Sequence, residues 1–209
     1  MPSIAAVLLA AGRSSRMNTP KALLPWGNAS SIISYQIENL SAAGLDPIIT
    51  VVGHDHQLVS DELSDSNTQI VINQEYDNGR SSSIIKGLSN INTTPDGILI
   101  ISVDQPRSKT IIKTLIDKWI ESKALIATPS FNGKSGHPII FHCSLMRELL
   151  SITEEKMGLR EIILKHQDQR IFVPTNDPHV ITNINTPEDY SSALEMYKSI
   201  QRAYPDTDF

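Results

Sequence analysis

Two near-continuous apolar runs, Ile4–Leu9 (IAAVLL) and Gly97–Val103 (GILIISV), constrain this chain most. A strand with one wet face alternates polar and apolar residues; a strand covered on both faces does not. These runs therefore need helices on each side, and the intervening sequence supplies them. Ser31–Ala43 reads as a helix ended by Gly44, Pro47–Val52 as a second strand and Asp55–Leu63 as a helix. Gln69–Ile72 reads as a short strand, Ser81–Ile91 and Ser108–Ser122 as helices, and Leu125–Thr128 as a further strand. The β-α-β-α order predicts an α/β fold with a mostly parallel sheet flanked by helices.

After Pro129 the rhythm changes. Pro138–Phe141, Arg170–Val173 and Val180–Asn183 read as short strands, with short helices near Leu145–Leu150 and Leu159–His166. A last helix over Pro187–Tyr197 has Thr186 as N-cap, proline at its first position, and Glu188 and Asp189 in its first turn. No repeat or linker divides the chain, and 209 residues suit one domain. Within it, residues 1–128 and 129–200 read as two parts, the second shaping one side of a cleft. Ligands of open α/β sheets bind at the carboxyl ends of strands, which directs attention to the loops after Leu9, Val52, Val103 and Thr128.

Composition narrows the function classes. At 40% hydrophobic and 20% charged residues, disorder and coiled coil are excluded. No apolar run approaches the roughly 18 residues of a membrane span. Met1–Leu9 lacks a basic n-region, so it does not read as a signal peptide. One cysteine, Cys143, leaves no internal disulfide or cysteine-based zinc site, and a reducing cytoplasm is the expected compartment. A net charge of −5 argues against nucleic-acid binding. Yet residues 1–37 carry Arg13, Arg16 and Lys21 and no Asp or Glu before Glu38. A cationic segment in an acidic chain suggests a small anionic ligand.

The loop after the first strand is Leu9-Ala10-Ala11-Gly12-Arg13-Ser14-Ser15-Arg16. Its small residues allow a ligand close to the backbone, whose N–H groups can cradle a phosphate. Arg16 and Lys21 add two cations that can reach it. Neither the dinucleotide nor the P-loop fingerprint is present.

The string LAAGRSSRM through PKALLPWG resembles the signature of the nucleotidyltransferases that act on the molybdenum cofactor. Its Ala-Ala-Gly form is similar to the cytidylyl branch. The resemblance continues through Asn73–Gly79 with Ser83 and Gly87, through Ser102-Val-Asp104-Gln105-Pro106, and through Gly136-His137-Pro138. It ends with Gly158-Leu-Arg160 and Asn183-Ile-Asn185-Thr186-Pro187-Glu188-Asp189. It implies a Rossmann-like nucleotidyltransferase fold with a mostly parallel mixed sheet. The implied reaction moves CMP from CTP to molybdopterin, with Mg²⁺ as cofactor and transient contact with a recipient molybdoenzyme. Another base or acceptor (GTP, a sugar phosphate) and a non-catalytic cofactor carrier are the alternatives.

By this resemblance Arg16, Lys21 and Asp104 are the catalytic candidates. Leu9, Ala10, Ala11, Gly12, Arg13, Gly79 and Ser83 join Arg16 and Lys21 as nucleotide-binding candidates. Gly136, His137 and Pro138 are acceptor candidates, and Asp104 and Asn185 metal candidates. Asn183 and Asn185 stand where the family has Asp, and Asn18 where it has Gly, a turn position that Asn tolerates. Arg80 replaces a usually apolar residue and either contacts phosphate or is merely exposed. Trp26 reads as packing and Cys143 as a small core residue. Asp55 and Asp65 read as surface charges, and the tail Tyr204–Phe209 as polar and frayed. The remaining histidines show no metal-ligand spacing.

Overall fold

The computed structural model describes residues 2–17 and 19–203. Asn18 and the tail Tyr204–Phe209, on which two sequence expectations fell, lie outside them. Eight strands form one sheet: β1 (Ile4–Ala10), β2 (Ile48–Val52), β3 (Gln69–Ile72), β4 (Gly97–Ser102), β5 (Ile126–Phe131), β6 (Lys134–Ser135), β7 (Ile139–His142) and β8 (Arg170–Pro174). The strand order is β3-β2-β1-β4-β7-β5-β6, with β8 paired to β5. β1, β2, β3 and β4 pair in parallel, as do β5 and β8; β7 runs antiparallel to β4 and β5, and β6 to β5. The sheet is thus mixed and mostly parallel.

Helices α1 (Ile32–Ala42), α2 (His56–Glu62), α3 (Arg80–Leu88), α4 (Lys109–Ser122), α5 (Met146–Leu149), α6 (Leu159–Lys165) and α7 (Pro187–Ala203) cover it. Every residue of β1 and β2 is buried, which accounts for their unbroken apolar character. Successive side chains of β1 feed opposite faces. Ala6 and Leu8 pack with Ile33, Ile112 and Leu115 from α1 and α4; Val7 and Leu9 pack with Ile84 and Leu88 from α3. A third cluster, Trp26, Tyr35, Ile184 and Tyr197, fastens α7 to α1. Trp26 is 1% exposed and its ring lies 5.4 Å from that of Tyr197, so it is packing.

Three expectations need correction. Val180–Asn183 is no strand: residues Pro178–Ile181 form a 3-10 turn, capped by Asp177, whose carboxylate accepts the His179 N–H at 2.8 Å. An Asp-Pro start favours a turn over a strand, and the Val180 carbonyl serves His137 N–H and Arg107 instead of a ladder. Cys143 is only half-buried, at the start of a short turn, because β7 ends one residue earlier. Asp55 is not a surface charge, as the site below shows. One strand had no counterpart in the sequence reading: β6 returns from β5 through Asn132 and Gly133, both at positive φ. Among the described residues, no helix is long and apolar enough to cross a membrane.

Candidate functional site

The chain runs outward from β1 through β2 to β3, then returns to lay β4 on the other side of β1. A crevice at such a reversal, at the carboxyl ends of the strands, is where open α/β sheets take ligands. Leu9 stands opposite Ser102, and the Val103 N–H donates to the Leu9 carbonyl at 2.9 Å. The Ala11–Arg16 loop and the Ser102–Asp104 turn therefore leave the sheet side by side.

A cavity of about 300 Å³ opens between them. Leu9, Ala10, Ala11, Gly12, Lys21 and Asp104 line it, with Gly79, Arg80 and Ser83 from the β3–α3 side. Eight of the site candidates chosen from the sequence, and Arg80 with them, thus converge on one space. A Cβ at Gly12 would meet nothing within 4 Å. The fold itself has no need of glycine there, so the bare backbone serves whatever enters. Asp55 also lines the cavity. It is carried there because Gly53 presses on the first loop: a Cβ on Gly53 would lie 2.6 Å from the Ala11 carbonyl oxygen.

Lys21 starts a 3-10 turn whose first N–H donates to Ser14 Oγ at 3.1 Å. Its Nζ donates to Asn185 Oδ1 at 3.1 Å, and Arg16 Nη2 reaches the same oxygen at 3.3 Å. Burial lowers the Lys21 pKa; Asp104 pulls it up, Arg16 pushes it down and Asp189 pulls it up again. The Ile184 N–H donates to the Asp104 carbonyl at 2.8 Å, which brings Asn185 alongside. Asp189 steadies that segment by accepting the Asn185 and Thr186 N–H groups, both at 2.9 Å.

Asp104 Oδ1 is buried and has no hydrogen-bond partner among the described residues. An unsatisfied buried carboxylate oxygen is costly, and a divalent cation is a ligand that would satisfy it. No group of three or more His, Cys, Asp or Glu could hold a metal among the described residues. So sparse a donor set suits a divalent cation that keeps several waters and takes one or two protein oxygens plus phosphates. Asn183 does not share in this: its Oδ1 accepts Gln105 Nε2 at 2.7 Å.

Six candidates do not line this cavity: Arg16 and Asn185, which meet beside Lys21, and Arg13, Gly136, His137 and Pro138. Arg13 forms an exposed two-point pair with Asp77, at 2.8 and 2.6 Å, and sits 5.5 Å over the Tyr76 ring. It clasps the first loop to the turn that carries Tyr76. Gly136, His137 and Pro138 precede β7. A Cβ on Gly136 would lie 2.2 Å from the Val180 carbonyl oxygen, so glycine is needed there for packing. His137 Nδ1 is buried without a partner. Burial, then Arg80, Arg107 and Arg170, pushes its pKa down to about 3, so the ring is neutral at pH 7. Ser83, buried, accepts from Asn73 Nδ2 at 3.0 Å and sits inside α3 instead of capping it. Gly79 is the residue before the helix, and Glu154 caps it from outside, accepting the Ser81 N–H at 2.6 Å.

Sequence reasoning missed Arg107. It is 1% exposed and donates to four carbonyls: Pro106 at 2.9, His137 at 3.0, Val180 at 3.1 and Thr182 at 2.8 Å. It ties the β4 turn to the His137 and Val180 segments. No local signal marks it, because an arginine after a proline also suits an exposed turn.

Residues 6–171 match the model of the MobA-like NTP transferase domain. The chain is 26% identical over 201 residues to a molybdenum cofactor cytidylyltransferase of Escherichia coli K12, covering 96% of this chain and 100% of that one. It is 25% identical over 205 residues to a nicotine blue oxidoreductase of Paenarthrobacter nicotinovorans, covering 95% and 97%. Among solved structures, Rv0371c of Mycobacterium tuberculosis superimposes with a TM-score of 0.79 at 25% identity, covering 93% and 98%. A manganese complex of Rv0371c superimposes at 0.74 and 22%, covering 93% and 98%. With the family model spanning well over half its length, the chain belongs to the MobA-like NTP transferase family.

Proposed function

We propose that this protein transfers CMP from CTP to the terminal phosphate of molybdenum-bearing molybdopterin and releases pyrophosphate. One observation carries the reading: a bare glycine backbone, a half-buried lysine and an unpartnered carboxylate oxygen meet at the sheet's reversal point. The cytidylyltransferase relative supplies the choice of base and acceptor.

An acceptor phosphate monoester is largely ionised at pH 7. Its oxygen forms a bond to the α-phosphorus while the bond from that phosphorus to the bridging oxygen breaks. Pyrophosphate leaves with the electron pair, and no proton need be removed. The protein's task is to align two polyanions and offset their charge. The backbone at Gly12, with Arg16, holds the departing pyrophosphate. Lys21 stands between donor and acceptor phosphates. Asp104 would hold Mg²⁺, which when bound neutralises triphosphate charge, and Asn185 would join it once Lys21 and Arg16 leave its Oδ1 for the phosphates. Residues 1–128 serve the nucleotide and 129–200 the acceptor, with His137 on the acceptor side. The product then passes to a recipient molybdoenzyme by transient contact.

A second reading is a carrier that binds the cofactor without turnover. The uncharged Asn185 favours it, because an amide in place of a carboxylate weakens the metal set. The deciding experiment measures pyrophosphate release with CTP, GTP and ATP, each with Mg²⁺ and molybdenum-bearing molybdopterin. Release with CTP alone supports the cytidylyl reading. Preference for GTP or ATP overturns the base. Cofactor binding with no release from any nucleotide favours the carrier.

A further inference from the structure

A second cavity of about 250 Å³ adjoins the first, and Arg80 lines both. Its other walls include Ser81, His137, Glu154, Gly158 and Arg160. Among the described residues Arg80 makes no hydrogen bond or ion pair, although Asp104 and Glu154 lie near enough to pull its pKa up against the burial that lowers it. Arg160 is exposed, and Glu154 already spends one oxygen on the Ser81 N–H. Two side-chain polar atoms at this cavity, Ser81 Oγ and His137 Nδ1, are buried and without partners. The turn that closes it holds Met157 and Gly158, both at positive φ. For Met157, 55% exposed, that backbone is unfavourable and buries nothing in return. Strain of this kind gathers where ligands are clamped.

The balance of charge is positive on this wall, two arginines against one engaged carboxylate, in a chain of net charge −5. His137 adds a hydrogen-bonding ring without charge. Such a surface takes an anion attached to a polar body. The first cavity already has Lys21 and the Gly12 backbone for the nucleotide's phosphates, with Arg16 close to Lys21 at Asn185. Arg80 stands at the junction, where a phosphate belonging to the second ligand would meet them.

We infer that the second cavity holds the body of the acceptor and that Arg80 grips its phosphate monoester, presenting it to Lys21 across the shared wall. This rests on the proposed nucleotidyl transfer for the words donor and acceptor, while the phosphate site itself can be tested without turnover. Because a nucleotide phosphate could also reach Arg80, the experiment must separate the two sources.

The test uses the full chain saturated with a non-hydrolysable CTP analogue and Mg²⁺. Inorganic phosphate is titrated in, and wild type is compared with Arg80→Met and Arg80→Lys. Loss of a charged hydrogen bond predicts that Arg80→Met weakens phosphate binding about tenfold or more. Arg80→Lys should recover part of the loss. Affinity for the analogue should change less than about twofold, and in turnover the acceptor KM should rise with the CTP KM unchanged. Part of the Arg80 side chain is open to solvent although its surroundings desolvate the guanidinium, and matching urea unfolding midpoints for wild type and variants show that the fold is kept. Equal loss of analogue affinity would assign Arg80 to the nucleotide and overturn the inference. So would phosphate binding indifferent to Arg80, or no phosphate binding by wild type at millimolar concentration. If phosphate binds through Arg80 and yet no nucleotide is turned over, the transfer reading fails and the anion site stands.

Discussion

Lys21 Nζ donates to Asn185 Oδ1 at 3.1 Å, an oxygen that also accepts from Arg16. A neutral amide thus accepts from two cations of the site, where a carboxylate would add negative charge to the surroundings of a metal at Asp104. Asn185→Asp should therefore lower the Mg²⁺ concentration for half-maximal pyrophosphate release by about tenfold, the order of a change in a metal's ligand surroundings. An unchanged Mg²⁺ requirement would remove Asn185 from the metal site.

Lys21 is half-buried beside Asp104, and burial lowers its pKa with no ion pair among the described residues to fix it. Its charge counts most as the α-phosphate changes partners. Lys21→Ala should cut kcat by about 10²–10³, the scale for losing one preorganised charge-stabilising donor. The Kd of a non-hydrolysable CTP analogue should shift far less. Matched losses in binding and turnover would make Lys21 a binding residue only.

Much of this site could be read from sequence, for a physical reason. β1 and β4 are buried on both faces, so their residues are apolar up to Ser102 at the end of β4, and the loops at their ends follow directly. Small residues and local cations then mark the Ala11–Lys21 loop. Arg107 could not be read that way. Its burial depends on carbonyls of His137, Val180 and Thr182, 30 to 75 residues further along the chain. The apolar Val180–Ile181 pair fits a strand or a turn equally well, and only tertiary partners decide. β6 pairs with β5 at two positions, too few for a periodic signal, although Asn132-Gly133 is a common hairpin turn.

Two glycines should separate fold from function. Gly12→Ala adds a methyl to open space, so thermal stability should stay within about 0.5 kcal/mol, as for a surface change. Its affinity for nucleotide should fall, because the methyl occupies the ligand's approach. Gly136→Ala drives a Cβ against the Val180 carbonyl and should cost about 1–3 kcal/mol in urea unfolding, the range for overpacking. If Gly12→Ala destabilises instead and binds nucleotide normally, the cradle assignment fails.

Arg107 satisfies four carbonyls with one buried guanidinium. Arg107→Met keeps much of the volume and leaves those acceptors without their donor, each at a cost of order 1 kcal/mol. The variant should lose about 3 kcal/mol of unfolding free energy. A loss below about 1 kcal/mol would show that water or a shifted segment replaces the arginine with ease.

His137 gives the chain a dependence on acid that its carboxylates do not explain. In the folded protein its ring stays neutral down to about pH 3, whereas the unfolded ring titrates near 6.5. Between those values the unfolded chain binds a proton that the folded one refuses. Stability therefore falls as pH drops below 6.5 and is flat, for this group, above it. From about pH 7.5 to about pH 5, the ring should account for about 1–2 kcal/mol of the loss. His137→Gln removes the titration, so its unfolding free energy should decline less over that interval than wild type's. Equal declines in urea unfolding at the two pH values would mean that the folded ring protonates as readily as the unfolded one. The neutral-ring account of the second cavity would then be wrong.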